Sequence, residues 1–246
     1  MWTVGVDEAG RGPVIGPLVV GAVALPTADL GMLLQQGVKD SKDLTHKKRN
    51  ELVNWFHEQS KQRGWKFTLI ECGPERVDNG VQTTGLNLLE VELFAEALTQ
   101  IRQQVDQPVH VLNDACDVNE QRFTDRIAAR LPQWPWNDST IHSEHKADTT
   151  FPIVGMASIL AKVERDNRIQ QLTEEIGIPL GSGYPSDPNT KAALPNLLQE
   201  AEPHPALRWS WKTVRRAWNE KYGVDPPTRR YEDGSQQTLF DYQRRL

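Results

Sequence analysis

The sequence predicts an α/β protein: a mixed β-sheet flanked by helices on both faces, followed by a helical C-terminal extension. Two patterns predict it. Residues 3–25 hold two apolar runs joined by a Gly- and Pro-rich link, as antiparallel neighbours would be. After that opening meander, residues 109–176 read strand, helix, strand, helix, which places helices on both sides of a mixed sheet.

In chain order, Thr3 to Val6 form a short strand that runs into two adjacent acids, Asp7 and Glu8, and then into Gly10-Arg11-Gly12. Neighbouring side chains of a strand point to opposite faces, so the two carboxylates are expected to converge only if the strand bulges or ends there. Leu18 to Leu25 is a nearly continuous apolar run and reads as a buried strand. Thr45 is placed to cap an amphipathic helix carrying Leu52, Val53, Trp55 and Phe56, and Trp65 to Cys72 alternates as a third strand. Leu86, Leu89, Leu93, Ala97 and Ile101 recur at three- and four-residue steps, which predicts a helix over 86–105.

Val109 to Leu112 form a short strand that delivers Asn113 and Asp114. A helix is expected over 120–131, a loop around Trp134 and Trp136, a last strand over 140–145 ending near Asp148, and a long helix over 153–176. A Gly/Pro loop fills 177–190, with short helices over 189–200 and 210–222. Asp225-Pro226-Pro227 ends the helical pattern, and a polar, flexible tail is expected beyond it. The expected division is therefore an α/β domain over 1–176, a helical extension packed on it over 177–223, and a tail over 224–246.

Composition narrows the class. The chain has 246 residues, 38% hydrophobic and 25% charged, enough for one large domain with an appendage. No apolar run is long enough to span a bilayer, and the N-terminus shows no secretory pattern. Cys72 and Cys116 have no C-x-x-C spacing, so both read as small core residues in a cytoplasmic protein. A net charge of −5 argues against coating nucleic acid by bulk charge, but 39–66 and 208–230 are locally basic. Those stretches read either as solvated helix faces or as footprints for a phosphate backbone.

Two carboxylates at a strand end, beside a loop of exposed backbone amides, suit a hard divalent cation and a phosphate. A lone Asp-Glu pair reads equally as a strand that ends in solvated acids. Adjacent strands lie about 5 Å apart, so Asp114 and Asp148 at or just past other strand ends can join the first pair. Oxygen donors without His or Cys favour Mg²⁺ or Mn²⁺. Asp117 and Glu144 compete with Asp114 and Asp148, but Asp114 follows its strand directly and Asp117 beside Asn119 reads as a turn or helix cap.

Val6-Asp7-Glu8-Ala9-Gly10-Arg11-Gly12-Pro13 resembles the opening motif of ribonuclease HII (type 2 ribonuclease H). Lys39-Asp40-Ser41-Lys42 with Leu44, Asp114 at a strand end, Lys146-Ala147-Asp148 and Gly181-Ser182-Gly183-Tyr184-Pro185-Ser186-Asp187-Pro188 resemble that family in the same order, as does the helix Ala157–Asp166. The resemblance covers about residues 3–215 and is nearer the archaeal and eukaryotic catalytic chain than the usual bacterial one.

The resemblance implies a ribonuclease-H-like fold and an endonuclease acting on RNA–DNA hybrids and on ribonucleotides embedded in duplex DNA. It implies that Asp7, Glu8, Asp114 and Asp148 hold two Mg²⁺ or Mn²⁺ ions, and Lys-Ala-Asp selects Asp148 over Glu144. It further implies that Gly10, Arg11 and Gly12 contact the ribose through their backbone, and that Tyr184 stacks on the next sugar. Ser41 and Lys42 would hold phosphate, with Lys146 a second phosphate contact or a partner of the acids. Arg11 as a surface charge and Tyr184 as a core cap remain open readings. The alternatives are another carboxylate-metal nuclease of the same fold, or a non-catalytic binding subunit. The tail residues Gln236, Leu239 and Tyr242 resemble the box that docks into a sliding clamp (PCNA-type), although Gln243 stands where a second aromatic is usual. A tail folded back on its own domain is the other reading, and a monomer is expected.

Other residues read as bland. Lys162, Arg165 and Arg168, with Glu164 and Asp166, form a solvated helix face. Most of the tryptophans are core, with Trp209 and Trp211 expected nearest nucleic acid because they alternate with Arg208 and Lys212. His110, His142 and His145 are weak candidates for proton transfer.

Overall fold

The computed structural model describes residues 1–38, 44–199 and 201–229. Among them β1 (Trp2–Ala9), β2 (Leu18–Pro26), β3 (Lys66–Cys72), β4 (Val109–Asp114) and β5 (Thr140–Glu144) form one sheet in the order β3-β2-β1-β4-β5. β1, β2 and β3 are an antiparallel meander, whereas β4 and β5 are parallel to β1, so the sheet is mixed. β1 lies at its centre, and the acids it carries are central too.

Helices cover both faces. Residues on alternate β1 positions, Val4 and Val6, pack with α4 (Leu86–Arg102) and α5 (Glu120–Ala128) through Leu93, Phe94, Phe123 and Ile127. The opposite face meets α2 (His46–Arg63) and α7 (Pro152–Ile176), with Phe56, Trp65, Met156 and Leu160 filling the layer. Thr45 caps α2 by accepting from the Lys48 amide at 3.2 Å. The approach of β1 to α7 is close: a Cβ added at Gly5 would stand 2.5 Å from the Ile153 carbonyl carbon. Gly5→Ala is therefore expected to force strand and helix apart, at a cost of about 1–3 kcal/mol. Urea denaturation reads this, and an unchanged midpoint would show that the layer yields freely.

A third apolar cluster joins the C-terminal residues to the rest. Leu180, Leu197, Leu207, Val214 and Trp218 pack on Val14 and Ile15 of the β1–β2 link and on Ile169 of α7. α8 (Pro188–Ala193) and α9 (Lys212–Tyr222) belong to this layer. The helix expected over 189–200 breaks in two, because Pro195 has no amide to continue it and a short 3₁₀ turn, Asn196–Leu198, follows. α1 (Leu30–Gln36), α3 (Pro74–Thr83) and the single-turn α6 (Ala147–Thr150) were not legible in the apolar pattern. No described helix is long and apolar enough to cross a membrane.

Candidate active site

The convergence of Asp7 and Glu8 does not come from a bulge. β1 keeps an unbroken register with β2 through Asp7↔Gly21, Glu8↔Val20 and Ala9↔Val19. On its other side the parallel ladder with β4 stops at Val6↔Asn113. Asp7 and Glu8 thus lie beyond the paired part of β4, where that edge of β1 is uncovered, and their carboxylates meet there despite leaving opposite faces. The Glu8 amide donates to Asp7 Oδ1 at 2.7 Å, which turns the first carboxylate along the strand.

Asp114, the last residue of β4, completes the group: one carboxylate oxygen from each of Asp7, Glu8 and Asp114 lies within 4.8 Å of the others. Asp114 Oδ1 accepts from the Ala147 amide at 2.7 Å, which ties β4 to the start of α6. Asp148 is buried in α6 and its charge reaches Asp7. Lys146, just before it, is exposed and holds a left-handed φ of 60°.

The electrostatics suit a cation. Burial pushes the Asp7 carboxyl well above its usual range, Glu8 and Asp114 push it further, and a hydrogen bond from Ser158 of α7 only partly offsets them. Burial raises Glu8 as well, against hydrogen bonding with Asp7 and the attraction of Arg11. Three oxygen donors that repel one another in a buried pocket are the donor set a hard divalent ion stabilises. The competing acids are engaged elsewhere. Asp117 is buried under Arg122 and Arg126, and the Arg122 hydrogen bond lowers its carboxyl. The α5 cap is Asn119, which accepts from the Arg122 amide at 2.8 Å. Glu144 pairs with His142, and His145 with Glu120.

Beside the acids, Gly10 takes φ +96°, and a Cβ there would meet the Pro17 carbonyl oxygen at 2.7 Å, so this turn requires glycine. A Cβ placed on Gly12 would lie 3.3 Å from Tyr184 Cε1, so the ring and the loop are neighbours.

The family model described as ribonuclease HII matches residues 4–214. The chain belongs to the ribonuclease HII family. It is accordingly an endoribonuclease, and the family's reaction is hydrolysis of the RNA strand of RNA–DNA hybrids. A ribonuclease HII of Thermococcus kodakarensis is 41% identical over 213 residues, 86% of this chain and 87% of that protein. The crystal structure of ribonuclease H2 from Pyrococcus horikoshii is 37% identical with a TM-score of 0.75, covering 89% of this chain and 98% of that one. The ribonuclease HII of an Archaeoglobus fulgidus PCNA complex is 33% identical with a TM-score of 0.72, covering 86% and 96%.

In this member of the family, several expectations change. Arg165 is not on a solvated face: it is fully buried, donates to the Ser182 carbonyl, and lies 5.0 Å from the Tyr184 ring centre. Arg208 is equally buried and donates to backbone carbonyls of the Gly10–Gly16 link. Trp209 is packed inside against Arg229, whereas Trp211 does reach the loop, donating from Nε1 to the Gly12 carbonyl at 3.3 Å. Cys116 is half-buried beside the acids, its thiol 3.8 Å from Glu8 Oε2. Sequence reading missed Glu90, buried on α4 and paired with Arg11; its carboxyl is pushed up to about 8 by burial and by Glu8. Ser41 and Lys42, and the tail residues Gln236, Leu239 and Tyr242, lie outside the described residues.

Proposed function

We propose that this chain cleaves the RNA strand of RNA–DNA hybrids and nicks duplex DNA on the 5′ side of embedded ribonucleotides. The observation that carries this reading is the juxtaposition of the Asp7–Glu8–Asp114 carboxylates with the Gly10–Gly12 turn and Tyr184. Asp7, Glu8 and Asp114, with Asp148 beside them, would hold Mg²⁺ or Mn²⁺. Such ions, when bound, supply activation of water and charge neutralisation at the leaving oxygen for in-line hydrolysis to a 3′-hydroxyl and a 5′-phosphate.

The chain's own residues do the rest. The Gly10–Gly12 turn brings backbone close to the nucleic acid, where it reads the 2′-hydroxyl. The Tyr184 ring packs on a sugar that lacks a 2′-oxygen, and so sets where the ribose run ends. Lys146, exposed next to the acids, meets phosphate, as do Ser41 and Lys42. The chemistry of the tail at Gln236, Leu239 and Tyr242, together with the PCNA complex of the Archaeoglobus relative, supports a sliding-clamp partner.

The test is a labelled DNA duplex carrying one ribonucleotide, incubated with Mg²⁺ or Mn²⁺ and then with EDTA. A metal-dependent nick 5′ of the ribonucleotide is the expected result. Cleavage of a long hybrid without that nick would keep the nuclease and reject the ribonucleotide reading. Silence on both would favour a binding subunit.

A further inference from the structure

Three carbonyls in a row, those of Gly10, Arg11 and Gly12, are held from the C-terminal side of the chain. Arg208 Nη2 donates to the Gly10 oxygen at 2.6 Å and Nη1 to the Arg11 oxygen at 3.1 Å, while Nε reaches the Gly16 oxygen at 3.0 Å. Trp211 Nε1 donates to the Gly12 oxygen at 3.3 Å, and the Arg208 guanidinium lies 4.9 Å from the Trp211 ring centre. Arg208 itself is wholly buried. A buried guanidinium whose three side-chain hydrogen bonds all go to one turn, with no carboxylate bonded to it among the described residues, is costly unless that turn must be fixed.

The consequence follows from the peptide plane. Both peptides are trans, so each N–H points opposite to its C=O. With the Gly10 and Arg11 oxygens turned toward Arg208, the amides of Arg11 and Gly12 face the other way. Among the described residues neither of those amides donates to another protein atom. A charged donor on each carbonyl also polarises the peptide and strengthens its amide as a donor.

The turn is moored from the opposite side as well. The Arg11 side chain, about a third exposed, pairs with Glu90 and donates to Asn87 Oδ1 at 2.7 Å, both on α4, and lies 3.4 Å from the Cys116 carbonyl. α4 thus holds the Arg11 side chain while the C-terminal segment holds the three carbonyls.

We infer that Arg208, assisted by Asn87 and Glu90 through Arg11, is the positioning residue that aims the Arg11 and Gly12 amides at the 2′-oxygen of the substrate ribose. This rests on the reading of the Gly10–Gly12 turn given above. Arg208 touches no substrate; it sets ribose discrimination through the backbone. The C-terminal segment therefore supplies part of the specificity, not only surface for binding.

The test compares two DNA duplexes, identical except for one position carrying either a ribonucleotide or a 2′-fluoro-deoxynucleotide, which offers the amides a far poorer acceptor. Wild type, Arg208→Lys and Asn87→Ala are assayed on both. Lysine keeps the charge but cannot span the carbonyls, and alanine on the first turn of α4 favours the helix. The ribo-to-fluoro ratio of kcat/KM is expected to fall about tenfold in Arg208→Lys and less in Asn87→Ala, with the fluoro rate nearly unchanged. Equal losses on both substrates, or an unchanged ratio in both variants, would overturn the inference and leave Arg208 a purely structural group. If Arg208→Lys does not fold, the ratio in Asn87→Ala decides. A wild-type enzyme with no preference for the ribonucleotide would instead reject the reading of the turn, and this inference with it.

Discussion

Asp7→Asn is expected to lower hybrid cleavage by about three orders of magnitude or more, the scale seen when one member of a cooperating catalytic group is removed. Asn keeps the shape of the buried side chain and loses the charge that three neighbours share. The same change carries an opposite sign for stability. The Asp7 carboxyl is raised in the folded state, so the folded protein retains a proton that the unfolded chain releases, and metal-free stability falls as pH rises from the unfolded carboxyl range toward the raised folded value. Asp7→Asn removes that penalty. Without metal the variant should melt at or above wild type, with a gap that widens toward neutral pH and closes when Mg²⁺ or Mn²⁺ is added. Thermal melts at several pH values, with and without metal, check this alongside a turnover assay. Near-normal turnover would take Asp7 out of the chemistry, and a variant less stable than wild type in EDTA would contradict the proposed repulsion.

The strands were legible because their signals are local. Alternation and apolar runs located all five, and Asp114 was readable as the last residue of β4 because the strand pattern stops there. What the sequence hid depends on partners far away in the chain. Arg165 sits among Lys162, Asp166 and Arg168, a pattern identical to a solvated face, and only the Ser182 carbonyl and the Tyr184 ring make it a buried group. Arg208 looked like the start of a basic stretch, yet its side-chain hydrogen bonds all run to residues 10–16, nearly the whole chain away. Glu90 falls on the apolar face of α4, where periodicity alone treats an acid as noise; its meaning comes from its pairing with Arg11, 79 residues away in the chain. The meeting of Asp7 and Glu8 was foreseen, with a bulge or a strand end as its cause; the bulge is absent, and the end takes the form of a ladder with β4 that stops at Val6. A ladder that stops short on one side leaves no trace in the strand that outruns it.

Tyr184→Ala is expected to cost about 5- to 150-fold in nicking at a single embedded ribonucleotide, and only a few-fold in cleavage of a continuous hybrid. The scale follows from aromatic stacking on nucleic acid, about 1–3 kcal/mol, converted at tenfold per 1.36 kcal/mol. The argument for a directed role is how firmly the ring is placed. Arg165 lies under it, and the Gly183 carbonyl beside it accepts from the Val14 amide at 2.8 Å. Asp187 closes the loop by accepting from the Ser182 amide at 2.9 Å and from Asn189 at 2.8 Å, bonds that hold its carboxyl down at about 2. A ring serving only as a core cap would not need to stand half-exposed against Gly12. In a continuous hybrid the next sugar carries a 2′-oxygen, which resists the ring, so little is lost when the ring is removed. At a junction the next sugar is deoxyribose, and the packing lost is large. Steady-state rates on the two substrates, measured with the same enzyme preparation, separate the cases. An equal loss on both would assign Tyr184 to folding of the 181–187 loop instead of to reading the junction.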